Sequence, residues 1–483
     1  MDHAFEARLF GSHLVLQTPG FGRILIFDRA EGAVLQEWSD LPSGNLLMDA
    51  MLTEDGRFIV QMNSDGSFHI HRVADGTTVL SGRIVDDEIA VWTEDYRFDA
   101  TAEAASRIDL RFPGLSGQFS LDRFDAALHA PDLVELVLSG EVPSAPPMPV
   151  PPDLSGTIVA TDGRIEAVAA LDPTRGAREL RLYQDGVLTR TAAIEVGAVE
   201  ARIDVPRLPG TRHASLLAVG PDGIASLPVT RDLGPELPGG TRRALAVAID
   251  RYQDPGLSDL NYAKADADRF MRLMAGLPDD VPAFEPASFV GGRRAGPQDA
   301  LEAIDALLDG LTAADHAVLF FAGHGVQDAE GRFYLAMSQT DLTDLPGTAL
   351  AWEDVAARLA DAEARITVLM DACHSGSAGI GGFATNDGAV AGLSSVPSNL
   401  TVLAASKGRQ QSIEARSLEG GLFTVALERV LVGERSLHDA NGNGRIEASE
   451  LAEGLRRIVS GQSEGRQVPW MTKGRIVGDH ALF

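Results

Sequence analysis

Two hydrophobic patterns divide the chain. From residue 241 onward, short runs that are apolar at nearly every position recur at 244–249 (ALAVAI), 317–321 (AVLFF), 366–370 (ITVLM) and 400–405 (LTVLAA). A strand without polar alternation is one buried on both faces, as in a parallel sheet. Helical stretches at 263–275, 298–309, 352–362 and 421–432 alternate with these runs. Strand–helix alternation predicts a mostly parallel sheet flanked by helices, with chemistry beyond the carboxyl ends of the strands. Before residue 241 the strands are short, half polar and separated by turns, which predicts β-rich domains.

The amino-terminal part repeats itself. "GRILIFDRAEGAVL" (22–35) and "GSFHIHRVADGTTVL" (66–80) set Gly22 against Gly66 and Gly32 against Gly76, a period of 44. "TEDGRFIVQMNSDG" (53–66) supplies a hairpin between them. Strand, Gly-ended turn and strand at this period resemble WD40-type propeller blades. Two blades do not close a propeller, so residues 1–95 read as a remnant, a truncated propeller or a small β-domain of another kind. A connector with a helical end follows. "EVPSAPPMPVPPD" (141–153), six prolines in thirteen residues, then makes a stiff linker. From 154 to 232, short alternating strands with Asp-Gly turns have the pattern of an immunoglobulin-like β-sandwich. "LGPELPGG" (233–240) breaks that pattern before the last domain. The expected architecture is therefore multidomain: a β-rich segment 1–95, a connector 96–153, a sandwich 154–232 and an α/β domain 241–483.

Composition narrows the function. At 483 residues roughly two to four domains are expected. The net charge of −28 argues against nucleic acid or anionic membrane as a partner. No run approaches the about 18 apolar residues of a membrane span, and the start does not read as a signal peptide. A single cysteine excludes internal disulfides and fits a reducing compartment, so a cytoplasmic location is expected.

That cysteine lies in "ITVLMDACHSGSAG" (366–379), and a second segment, "HAVLFFAGHGVQD" (316–328), carries a histidine in the same setting. If the two strands are neighbours, His324 and Cys373 emerge at one sheet edge. A thiol is mostly protonated at neutral pH and needs a base to become a nucleophile; His324 could serve, and could later protonate a leaving amine. The small residues around both let a carbonyl approach the main-chain N–H groups of Gly325 and Cys373 as oxyanion donors. A buried structural cysteine beside a satisfied histidine is the plain alternative. Zinc is disfavoured, because paired ligand spacing is missing.

Gly323-His324-Gly325 with Asp371-Ala372-Cys373-His374-Ser375-Gly376 resembles the caspase-like cysteine peptidases of family C14, in particular the metacaspase and prokaryotic branch. The His-to-Cys spacing of 49 fits. "LNYAKADADRFMRLM" (260–274) is similar to the family's first helix, and "AASKGRQQSIE" (404–414) with "GGLFTVAL" (420–427) to its small-subunit half. The resemblance implies a caspase-like fold over 241–483, a Cys373–His324 dyad and polypeptide substrates. Asp371, two residues before the cysteine, takes the place of the acid that selects Arg or Lys at P1, and Asp266 resembles a second acid of that pocket. The β-domains would then recruit substrates or a protein partner, or restrain activity. The rival is a catalytically silent docking or signalling module with the same fold.

"DANGNGRIEASE" (439–450) fits a twelve-residue calcium loop: Asp439, Asn441, Asn443, the Arg445 carbonyl, Glu447 and Glu450, with Gly444 at the sharp turn. The same residues could equally make only a tight turn. "GSAGIGG" (376–382) lacks the register of a phosphate loop and reads as a mobile active-site loop.

Residues 374–399 contain no Lys or Arg. An enzyme selecting basic P1 residues has nothing to cut there, and Lys407, Arg409 and Arg416 are the nearest candidates. The expected outcome is a single-chain enzyme or a nick within 407–416. Fragment mapping by mass spectrometry after incubation checks it; a cut inside 374–399 that vanishes in Cys373→Ala would refute it.

Overall fold

The computed structural model describes residues 6–18, 23–38, 47–85, 88–140, 147–234, 239–277, 284–285, 288–330, 332–374, 399–406, 413–415, 419–440, 442, 444–473 and 482–483. The chain forms two compact units, Met1–Pro152 with Gly220–Leu227, and Asp153–Val219 with Pro228–Phe483.

In the first unit, β1 (Glu6–Phe10), β2 (His13–Thr18), β3 (Arg23–Asp28) and β4 (Ala33–Trp38) form an antiparallel meander. A second sheet runs in sequence order through β5 (Leu47–Leu52), β6 (Phe58–Asn63), β7 (Ser67–Arg72), β8 (Thr78–Val85), β9 (Glu88–Trp92) and β10 (Phe98–Ala100). The sequence repeat appears here as repeated hairpin geometry. Gly32 N–H donates to Asp28 O at 2.9 Å and Gly76 N–H to Arg72 O at 2.8 Å. Each hairpin has a register shift just before the turn, at Ile26/Phe27 and at Ile70/His71. Gly32 (φ 67°) and Gly76 (φ 74°) both occupy the left-handed region that a side chain disfavours.

Val15, Ile24 and Ile26 of the first sheet pack on Ala50, Leu52 and Ile59 of the second. The other face of the second sheet is covered by α1 (Leu133–Ser139) through Leu133 and Val137. Beside the apolar contact runs a polar row: His71 Nδ1 meets Thr78 Oγ1 at 2.9 Å, His71 Nε2 meets Gln61 Oε1 at 3.0 Å, and Gln61 donates to Asn63.

The second unit begins with two antiparallel sheets enclosing one core. The first consists of β11 (Leu154–Thr161), β12 (Arg164–Leu171) and β15 (Glu200–Pro206). The second consists of β13 (Glu179–Gln184), β14 (Val187–Ala193), β16 (His213–Val219) and β17 (Val229–Asp232). Ile165, Ala167 and Ile203 from one face meet Leu180, Leu182 and Leu216 from the other.

Among the described residues the α/β part of the unit is built on an eight-stranded sheet. Its strands are β18 (Arg242–Ala248), β19 (Ser288–Gly291), β20 (His316–Gln327), β21 (Phe333–Leu335), β22 (Leu350–Ala351), β23 (Arg365–His374), β24 (Leu400–Ala404) and β25 (Trp470–Lys473). Along the main path the order is β19-β18-β20-β23-β24-β25, parallel except for β25; β21 pairs antiparallel with the end of β20, and β22 with β21. Alternation along β18 sets the two cores: Ala244, Ala246 and Ala248 face α2 (Ala263–Ala275), α5 (Leu422–Glu428) and α6 (Ala448–Ser463), while Leu245, Val247 and Ile249 face α3 (Pro297–Leu308) and α4 (Trp352–Ala360). This is the mostly parallel, doubly covered sheet expected from the apolar runs. One expectation needs correcting. The strands do not stop at 321 and 370 but continue through the Gly-His-Gly and Asp-Ala-Cys-His segments, so these residues lie inside paired strands.

A buried contact links the sandwich to the base of β23. Asp185 (φ 42°) and Gly186 (φ 83°) form the tight turn between β13 and β14. The Asp185 carboxylate accepts the N–H groups of Arg212 (2.9 Å) and His213 (2.7 Å), and Arg365 Nη1 stands 3.9 Å away. Burial would push this carboxyl up, but the His213 side chain, the Arg365 guanidinium and the two N–H groups hold it below its ordinary value.

Burial, and secondarily the His69 ring, lowers His71 from 6.5 to about 4. The unfolded chain takes up this proton near pH 6.5 and the folded chain only near pH 4. The stability contributed is full above pH 6.5 and is lost as pH falls toward 4, on the order of 2–3 kcal/mol. Thermal melts across pH 7 to 4 are expected to show a smaller acid loss in His71→Gln than in the wild type.

Candidate active site

The site grows from the pairing of β20 with β23, whose register sets Ala322 against Asp371, His324 against Cys373 and Gly325 against His374. Residues distant in sequence are thus adjacent at the carboxyl end of the sheet. The His324 side chain is buried, 2% exposed. Its Nε2 lies 2.8 Å from the Ser258 carbonyl oxygen. A carbonyl only accepts, so Nε2 carries the hydrogen, and Nδ1 bears the lone pair in the neutral ring.

The same loop fixes the histidine backbone. His324 N–H donates to Tyr252 Oη at 3.0 Å, Tyr252 Oη–H donates to the Ile249 carbonyl at 2.9 Å, and the two rings lie 4.8 Å apart between centroids at a tilt of 32°. Leu260 N–H to Asp250 O (3.0 Å) and Tyr252 N–H to Asp259 Oδ1 (3.1 Å) close the loop on itself. Of the glycines flanking His324, Gly325 is closely packed and Gly323 is tight. A Cβ on Gly325 would lie 2.7 Å from the Phe333 ring, and one on Gly323 3.2 Å from Tyr252 Oη.

Asp371 and Asp266 lie close to one another. Both are buried, at 6% and 4% exposure. Gly421 N–H donates to both Asp266 oxygens (3.0 and 2.9 Å), and Thr424 Oγ1 donates to Asp371 Oδ2 at 3.2 Å. A Cβ on Gly421 would stand 2.8 Å from Asp371 Oδ2 and 2.9 Å from Asp266 Oδ2, so the two carboxylates flank one glycine. A cation borders the pair as well: a Cβ on Gly420 would meet Arg269 Nη1 at 2.7 Å and Asp266 Oδ1 at 2.8 Å. Arg269 Nε reaches Glu428 at 3.4 Å.

Ser258, Tyr252, Arg269, Gly421 and Thr424 were not singled out from the sequence. Ser258 acts through its main-chain oxygen, which leaves no residue-type signal. Tyr252 had one available signal, an aromatic residue directly beyond the carboxyl end of an apolar strand. The segment 376–382 lies outside the described residues.

At 439–450, Asp439 Oδ2 accepts the Gly444 N–H (2.8 Å), while Glu450 accepts the N–H groups of Ala440 (2.8 Å) and Glu447 (3.0 Å). Gly442 (φ 70°) and Gly444 (φ 79°) make the reversals. Asn441 and Asn443 lie outside the described residues. Among the described residues no group of three or more His, Cys, Asp or Glu side chains is arranged to hold a metal. No helix among them is long and apolar enough to cross a membrane.

Residues 241–479 match the family model of the caspase domain, peptidase C14. This half of the chain belongs to the caspase family. Among curated proteins none matches the chain. Solved structures similar to the caspase domain include the protein GSU0716 from Geobacter sulfurreducens (17% identity, 49% of this chain and 94% of that one, TM-score 0.36) and pro-sf-caspase-1 (13%, 49% and 92%, 0.33). The β-propeller domain of Myceliophteria thermophila Cps50 (Swd1) also matches (12%, 50% and 89%, TM-score 0.16). At these TM-scores the individual likenesses carry no argument. The caspase domain, with its mixed sheet between two helical layers, supports cysteine-peptidase-type chemistry on protein substrates.

Proposed function

We propose that the caspase domain is a cysteine endopeptidase that cleaves after Arg or Lys, with Cys373 as nucleophile and His324 as general acid and base. The observation that carries this reading is the register partnership of His324 with Cys373, together with the Nε2–H bond to Ser258 O that leaves Nδ1 as the basic nitrogen. Nδ1 takes the thiol proton as the sulfur attacks the scissile carbonyl, and returns it to the departing amine. The N–H groups of Gly325 and Cys373 receive the developing oxyanion. Water, activated by the same imidazole, then hydrolyses the thioester. Asp371 pairs with the P1 cation; Asp266 adds negative charge while holding Gly421 in place. The amino-terminal β-domains recruit substrate or a protein partner.

Calcium would be held by the side chains of Asp439, Asn441, Asn443 and Glu450 and by the Arg445 carbonyl. In the described part of the loop glycines make the reversals and the Asp439 and Glu450 carboxylates accept N–H groups of the same loop, bonds that an ion would join or replace. The ion would supply a fixed turn ahead of α6, and no catalytic step passes through it.

Cys373→Ala and His324→Ala are each expected to abolish hydrolysis of Arg-terminated fluorogenic peptides, by at least about 100-fold. Asp371→Ala is expected to lose turnover of basic substrates far more than folding stability, read as kcat/KM against melting temperature. A peptide library cut after Asp would overturn the pocket assignment. Wild-type turnover in either dyad variant would overturn the dyad, and no turnover by the wild type would leave a docking module.

Millimolar calcium is expected to raise the melting temperature of the wild type, since a ligand of the folded state stabilises it by mass action. An equal shift in Glu450→Gln, or no shift at all, would leave the loop as a turn.

A further inference from the structure

We infer that Tyr252 is a positioning residue for the dyad: its hydroxyl anchors the His324 backbone and its ring face supports the imidazolium formed when Cys373 gives up its proton. The inference rests on the dyad reading above. Three contacts converge on it. Tyr252 Oη accepts the His324 N–H at 3.0 Å and donates to Ile249 O at 2.9 Å, tying the histidine to the end of the neighbouring strand β18. The Tyr252 and His324 rings lie 4.8 Å apart at an interplanar angle of 32°. Gly323 leaves room for the hydroxyl, since a Cβ there would come to 3.2 Å from Oη and 3.1 Å from the Phe321 ring.

The physical role follows from the charge change during the reaction. Thiolate formation creates a cation on a ring that is 2% exposed, where solvent cannot stabilise it. An aromatic face within about 6 Å attracts such a cation through its quadrupole. The other titratable groups on the elements around the ring are Asp250, Arg251, Asp254 and Asp259 of the same loop, Asp328 and Tyr334 beside the end of β20, and Asp371, Cys373 and His374 on β23. Several are engaged elsewhere. Asp259 accepts from Tyr252 N–H and stands 3.7 Å from Arg251, Asp254 accepts from Gly256 and Leu342 N–H, and Asp328 is held by Arg332 and Tyr334. Tyr252 also cooperates with Ser258: one residue fixes the backbone and ring face, the other fixes the tautomer. Since both belong to the loop between β18 and α2, the loop acts as one clamp on the base.

The test uses the full chain, in which Cys373 is the only cysteine. The rate of its alkylation by iodoacetamide at pH 7 is compared in the wild type, His324→Ala, Tyr252→Phe and Tyr252→Leu, alongside kcat and KM on an Arg-terminated peptide and the melting temperature. Tyr252→Leu, which loses ring and hydroxyl, is expected to lower the alkylation rate and kcat roughly tenfold, with KM within about twofold. Tyr252→Phe keeps the ring and is expected to recover part of that loss; it also decides the matter if the Leu variant fails to fold, because it then alone must fall below the wild type. Wild-type rates in the Tyr252 variants, with His324→Ala slow, would overturn this inference and leave the dyad intact. A loss confined to KM or melting temperature would overturn it likewise. Equal alkylation of wild type and His324→Ala would overturn the dyad reading and this inference with it.

Discussion

The parallel pairing of β20 with β23 is the constraint on which the rest of the site depends. Side chains alternate between the faces of a sheet, so a slip of one residue would turn every inward group outward. The register is held along the full length of the contact, from His316 against Arg365 to Gly325 against His374. Apolar residues on both faces supply the restoring force, since any slip would misplace two cores at once. At the base of β23 the buried Asp185–Arg365 contact adds a polar anchor, while the segment bearing the candidate nucleophile lies at the opposite end. The chemistry is thus built where the strands end and is held where they begin.

The loop after β18 converts this placement into a defined chemical state. A histidine in a buried position can adopt either neutral tautomer, and only one of them keeps Nδ1 basic. The Ser258 carbonyl makes that choice through a main-chain oxygen, which suits the acid–base role proposed for this ring. A carboxylate there would hold the imidazolium more tightly and would weaken it as an acid toward the leaving amine. At the acid pair the balance differs. Two buried carboxylates around Gly421 are tolerated because N–H and hydroxyl donors meet them and Arg269 stands nearby.

The amino-terminal unit obeys a different economy. Its two sheets share an apolar contact, but a polar row of Gln61, Asn63, His71 and Thr78 runs beside it, each group satisfied by the next. Such a row specifies one alignment of the strands and makes it sensitive to protonation of His71. The repeat of 44 residues encodes the hairpins with their glycine turns, which are local. The extension of the second sheet by β9 and β10 and the cover from α1 are not part of the repeat.

Much of the caspase domain was legible from sequence because its signals are local. Unbroken apolar runs locate β18, β20, β23 and β24, and the intervening amphipathic stretches locate α2, α3, α4 and α5 within a few residues. The juxtaposition of His324 and Cys373 could be posed from two strand-end motifs but depended on the strands being neighbours, which tertiary pairing decided. The strands also run further than the motifs suggested, because polar and glycine residues pair as well as apolar ones once β21 and β23 supply partners. Asp266 could be named from its place in α2, yet its partner Gly421 lies 155 residues away. Ser258 and Tyr252 stayed out of reach for a related reason: one acts through a main-chain oxygen that every residue possesses, the other through a contact that exists only when the loop closes. Sequence alone determined which elements form and which side chains are candidates for chemistry; the tertiary structure decided which of them meet, because hydrogen-bond register and loop closure link residues that no local pattern connects.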